Sequence, residues 1–214
     1  MRALQNGWRL LAVAAAMSVA SSLHAQTAPP EKKESSVTLY GGYRSGGSLT
    51  DANTGSSVNV RNDSSYALAV DIGLDRQTQV QLFYSHQQSA LSSGTFAPTV
   101  NDFGLAIDYY HAGGTYFFEE VGAGGYVMAG FGATHMSPDR GDLNSETFLS
   151  GHIGMGFMLP LGKHVGLRFE ARGYGTLVNN ESSLFCSDNA GCVVAIKGDA
   201  MYQGEALAGL SIRF

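Results

Sequence analysis

Three groups of residues in this 214-residue chain have the types and spacings that chemistry requires. Cys186 and Cys192 are its only cysteines and enclose the polar stretch SDNAG. In an oxidising compartment such a pair forms a disulfide that stiffens a loop. No histidine stands beside them, so the spacing does not make a metal site. His135 and Ser137 lie in the stretch THMS, with Glu146 further along. A serine turns nucleophilic when a histidine takes its proton and a third group orients that histidine. Pro138 follows the serine and Glu146 falls in a polar gap, so a solvated loop is expected there rather than an enzyme, and no cofactor is implied. The third group is charged. Arg168, Glu170 and Arg172 alternate along VGLRFEARGY, while Gln203, Glu205 and Arg213 share one parity near the chain end. On a strand, such alternation collects the charges on one face.

The elements that hold these groups are read from the chain ends and from periodicity. Residues 1–25 carry Arg2 and Arg9, then the apolar run LLAVAAAMSVA, then SLHA with the small Ala25 at a cleavage point. This three-part layout is that of a secretory signal peptide, and its apolar run is too short to span a bilayer. Residues 26–36 read as a short polar lead-in. Losing Arg2 and Arg9 leaves 11 basic against 18 acidic residues, a formal charge of −7, which argues against a nucleic-acid partner. No later run is long and apolar enough for a transmembrane helix. The 28 glycines are spread through apolar segments, unlike those of a linker. The clusters GGYRSGG and GAGGYVMAGFG also lack the strand–loop–helix setting of a phosphate loop.

From residue 37 the chain alternates apolar and polar with period two, eight times over. Val37, Leu39 and Tyr43 oppose Tyr40 and Arg44. Tyr66, Leu68, Val70, Ile72 and Leu74 oppose Ser65, Ala67, Ala69, Asp71 and Gly73. Val80, Leu82 and Tyr84 oppose Gln79, Gln81 and Ser85. Phe103, Leu105, Ile107 and Tyr109 are assigned to the apolar face against Gly104, Ala106, Asp108 and Tyr110. Three further strands and the closing one continue the pattern. Long polar gaps at 46–63, 88–101, 136–146 and 178–199 alternate with the short turns LDRQ, EEVGAG and PLGKH. Short turns at one end and long loops at the other fit an all-β, transmembrane, up-and-down antiparallel β-barrel of eight strands. With charged residues at only 14% of the chain, the polar faces suit a narrow lumen better than open water. The apolar faces would then meet lipid, with Tyr43, Tyr66, Tyr84 and Tyr109 as girdle candidates.

The chain closes on LAGLSIRF, with Leu210, Ile212 and Phe214 on the apolar side. This resembles the C-terminal signal of bacterial outer-membrane barrels. Over residues 37–214 the chain resembles the small eight-stranded family typified by the OmpA membrane domain, OmpX and OmpW. YGGYRSGGSLTD, LRFEARGYGTL and LFCSDNAGC look like a separate branch of it. The resemblance implies an outer-membrane location among lipid and lipopolysaccharide. It also implies reading of Phe214, with Ile212 and Leu210, by the barrel assembly machinery, and long loops open to an extracellular ligand.

Eight strands enclose a space just wide enough for side chains or one small ligand. Asp71, Asp108, His152, Arg168, Glu170, Arg172, Glu205 and Arg213 are therefore expected to form a lumen charge network. Buried charges persist only when paired, so Glu170 and Glu205 should each meet Arg168 or Arg172. The function that follows is a structural, surface-interaction barrel with a filled lumen. The alternative is a narrow channel for small hydrophobic molecules. A lipid A hydrolase built on His135, Ser137 and Glu146, as in deacylases of similar barrels, is the least favoured reading.

Overall fold

Eight long strands follow one another through the chain: β1 (Ser36–Ser45), β2 (Asp63–Gly73), β3 (Thr78–Ser93), β4 (Gly104–Phe117), β5 (Gly124–Pro138), β6 (Glu146–Pro160), β7 (Val165–Val178) and β8 (Asp199–Arg213). The computed structural model describes residues 33–50, 57–93, 104–139, 143–178, 186–187, 191–192 and 199–214. The leader at 1–25, most of the lead-in and Phe103 lie outside these. Every strand pairs antiparallel with the next. The ring closes where Ser36–Ser45 runs against Gly204–Arg213, with Leu39 opposite Leu210. Closure leaves no sheet edge, which is what lets strands cross a bilayer without stranded backbone groups.

At one rim the connections are tight. In the β2–β3 turn, Asp75 accepts the backbone N–H groups of Gln77 (2.8 Å) and Thr78 (2.7 Å). Those bonds, the one from Gln77 first, hold its carboxyl below the usual carboxylate range. The β4–β5 turn needs a glycine, because Gly122 has φ +93° and a Cβ there would lie 2.5 Å from Arg213 Nη1. Both ends of the barrel domain lie at this rim, where Phe214 N–H donates to Ser35 O at 3.0 Å.

At the other rim the strands run further than the period-two pattern showed. β3 reaches Ser93 and β5 reaches Pro138, so the first residues of the gaps placed at 88–101 and 136–146 are strand. A small hairpin, Ser48–Thr50 with Ser57–Val60, extends this rim and pairs onto β3. Cys186 stands opposite Cys192 in the register of a two-residue antiparallel ladder.

The face assignments hold for seven of the strands. Leu39, Tyr43, Tyr66, Ile72, Leu82, Phe131, Ile153, Phe169, Leu210 and Phe214 all point outward and are exposed. β4 is the exception. Leu105, Ile107 and Tyr109 are fully buried inside, whereas Tyr110, 52% exposed, takes the outward girdle place expected for Tyr109. Asp108 shares that outward parity, so it is not a lumen residue. The lumen of the long-loop half is apolar at this level, and the strand must turn its apolar side in to fill it.

Candidate functional site

The inner wall is a stack of charged layers beneath an apolar cap. β7 supplies the lower layer because Arg168, Glu170 and Arg172 share its inward parity. Glu170 Oε2 accepts Arg172 Nε at 2.8 Å, and Oε1 lies 3.2 Å from Arg168 Nη2. Tyr40 and Tyr126 hydroxyls add donors to Oε1 at 2.7 and 2.8 Å. Arg168 also pairs with Asp71, which takes Gln81 Nε2 at 2.7 Å and Ser36 Oγ at 3.2 Å. A carboxylate so surrounded has exchanged its water for donors, the condition under which a buried charge survives.

The next layer rests on a residue outside the expected network. Glu205 pairs with Arg44 of β1, not with Arg168 or Arg172; Arg44 Nη2 lies 3.0 Å from Glu205 Oε1. Ser85 Oγ donates to the same oxygen at 3.0 Å, and the Tyr174 hydroxyl donates to Oε2. Register sets two guanidiniums directly opposite Glu205, Arg44 on β1 and Arg172 on β7. Arg172 turns to Glu170 and Gln81, which leaves Glu205 to Arg44. The signal was present in the sequence, since Arg44 shares the inward parity of Tyr40.

Aromatic rings fill the space between these ions. Arg172 lies 3.6 Å over the Phe83 ring, Arg44 4.7 Å over Tyr109 and Arg168 4.9 Å over Tyr126. His111 and His152, from β4 and β6, stack with centroids 4.9 Å apart. Gly130 and Gly132 on β5 leave room for them, because a Cβ at either would come within 2.9 Å of an imidazole atom. Three guanidiniums, Arg44, Arg168 and Arg172, thus balance three carboxylates, Asp71, Glu170 and Glu205, among the described residues of the mid-lumen. Such a plug has no net charge with which to attract an ion. Arg213 stands apart at the short-turn rim, bonding Gly162 O at 2.6 Å and facing Glu34 at 3.4 Å.

Above these layers the lumen loses its charges: Leu105, Ile107, Met136, Phe148, Val178 and Met201 are buried there, together with the uncharged Gln87, Thr134, Thr176 and Gln203.

Outside, Asp108 sits among β3 side chains, accepting the Tyr84 hydroxyl at 2.8 Å and facing His86 Nδ1 at 2.7 Å. This small polar ledge adjoins the outward tyrosines Tyr66 and Tyr110. On β5, Ser137 Oγ is 3.0 Å from His135 Nε2, and His135 Nδ1 is 2.9 Å from Thr147 Oγ1. Both ring nitrogens of His135 are thereby engaged by hydroxyls, and Thr147, not the carboxylate of Glu146, is its register partner.

No protein-family model matches the chain, and no curated protein matches its sequence. Solved structures match its fold. Neisserial surface protein A aligns over 86% of this chain and all of its own, at 15% identity and a TM-score of 0.51. The outer membrane protein AlkL aligns over 89% of this chain and 94% of its own, at 14% identity and a TM-score of 0.50. Ail of Yersinia pestis aligns over 86% and 99%, at 15% identity and a TM-score of 0.46. The chain has the fold of the small eight-stranded outer-membrane barrels.

Proposed function

We propose that this protein is an integral outer-membrane barrel of structural, surface-interaction type, with its leader removed after Ala25 and its lumen closed by side chains. The observation that carries the reading is the neutral plug: every mid-lumen guanidinium faces a carboxylate, and aromatic rings pack against each. The outward apolar band meets lipid and lipopolysaccharide. Phe214, Ile212 and Leu210 lie outward on the closing strand, and we assign them to recognition by the assembly machinery. Contact with other molecules then falls to the long-loop rim, stiffened by a Cys186–Cys192 disulfide. The experiment is conductance of the purified protein in a planar bilayer: the expected trace is flat, and steady ion current would overturn the closed lumen.

One observation favours a second reading, a path for small hydrophobic molecules. The lumen at the long-loop rim is lined by Leu105, Ile107, Met136, Phe148 and Met201, so an apolar solute would find a matching surface there. Uptake of a small apolar dye into liposomes bearing the protein distinguishes the two. Uptake at the rate of empty liposomes removes the path.

A further inference from the structure

The two lumen histidines are joined by hydrogen bonds whose direction can be assigned from the partners alone. Arg172 Nη1 is 3.3 Å from His152 Nε2. A guanidinium only donates, so this ring nitrogen accepts and carries no proton. The His152 proton therefore sits on Nδ1, which lies 2.9 Å from His111 Nδ1. His111 must accept there and hold its own proton on Nε2, which donates to Ser150 Oγ at 2.8 Å. The chain runs one way, from Arg172 through His152 and His111 to Ser150. It has places for two ring protons, and a third would face a donor: a proton on His152 Nε2 points at a guanidinium, and one on His111 Nδ1 points at another N–H.

From this geometry we infer that His111 and His152 form an acid-released latch on the lumen plug. Neutral, they tie β4 to β6 and to Arg172 of β7; charged, they part and loosen the plug. The groups around them offer no relief. β7 presents Arg172, Glu170 and Tyr174, and β1 presents Arg44. β4 adds Tyr109, with its ring 5.3 Å from His111, while β3 contributes the Phe83 ring at 6.0 Å from His152. β5 offers only Gly130 and Gly132. Glu205 of β8 is turned toward Arg44, Ser85 and Tyr174. Glu170, the carboxylate nearest the pair, already accepts Arg172, Tyr40 and Tyr126. Imidazolium rings here would meet each other and Arg172 as like charges, which repel most strongly where water is excluded.

The latch rests on the closed-lumen reading for its effect on conductance, but its own test does not. Nitrogen NMR of the folded protein near neutral pH should show His111 as the Nε2–H tautomer and His152 as the Nδ1–H tautomer. On acidification well below the ordinary imidazole value of about 6.5, both should become imidazolium and lose their mutual contact. The opposite tautomers, or a contact that survives protonation, overturn the latch. A second arm uses His111→Gln with His152→Gln. Glutamine can accept from one neighbour and donate to the other without ever charging. Wild type should lose heat-modifiable stability on acidification, and the double variant should lose less than about half as much. An equal loss assigns the acid response to Asp71, Glu170 and Glu205 and overturns the latch. If the double variant fails to fold, the tautomers in wild type decide. Steady current at neutral pH with the expected tautomers would sink the closed lumen and leave the latch standing.

Discussion

Toward the short-turn rim and mid-barrel the lumen holds Asp71, Arg168, Glu170, Arg172, Arg44 and Glu205; toward the long-loop rim it holds Leu105, Ile107, Met136, Phe148 and Met201. One half is filled with paired ions and tyrosines, the other mostly with apolar side chains set among the uncharged Gln87, Thr134, Thr176 and Gln203. The ionic half is unforgiving, because each ion is stable only with its partner in place. The apolar half relies on shape and area, so its losses are graded. On the proposed reading, ionic filling keeps ions and water out of the lumen, and the second reading rests on the apolar residues of the other half.

The largest effect should come from breaking one buried pair. Glu205→Ala leaves Arg44 uncompensated and should cost about 3–5 kcal/mol, read as a fall in the heat-modifiability midpoint and as a small new conductance. An unchanged midpoint and a flat trace together would mean that the pair does not hold the plug. Phe148→Ala in the apolar half should cost about 3–5 kcal/mol at most, less if loop residues collapse into the space. It should leave the bilayer trace flat. Current from this variant would erase the distinction between the halves. Replacing the pair together, Arg44→Met with Glu205→Leu, should come out near neutral in stability, since it removes both desolvated charges. A double variant as unstable as Glu205→Ala would show that the hydroxyls of Ser85 and Tyr174, not the ions, set the stability there.

The smallest effect lies outside the lumen, at Asp75. Its folded carboxyl sits below the ordinary aspartate value because backbone N–H groups hold the charged form. The stability it adds is therefore full above the unfolded value, about pH 3.9, and is lost as pH falls through the lower folded one. Amide protection in the β2–β3 turn, taken relative to the intrinsic exchange rate at each pH, should fall below about pH 4 in wild type, and Asp75→Asn should show the lower protection at neutral pH. Equal protection in the two proteins at neutral pH would remove this role.

Alternation made the outward face of most strands readable, because only one of their two sides is apolar. β4 defeated it. Its long-loop half is apolar on the inward side at Leu105, Ile107 and Tyr109, and its outward side mixes Ala106 and Tyr110 with Asp108. The more hydrophobic parity is there the lumen one. Asp108 was misplaced for that reason, and Tyr109 with it. The pairing of Glu170 with Arg168 and Arg172 was readable because all three lie on one strand within four residues. The partner of Glu205 was not, because Arg44 lies 161 positions away and meets it only when the ring closes.

What the sequence determined by itself is the strand count, the alternation of short turns and long loops, and the choice of which side chains face inward on seven strands. These follow from local period and turn chemistry, and need no knowledge of neighbours. Tertiary structure alone decided which inward charges meet, where the lumen changes from ionic to apolar, and that His111 stacks on His152. Those depend on closure and register, through which residues far apart in the chain share one narrow, nearly dry space where only matched partners can remain.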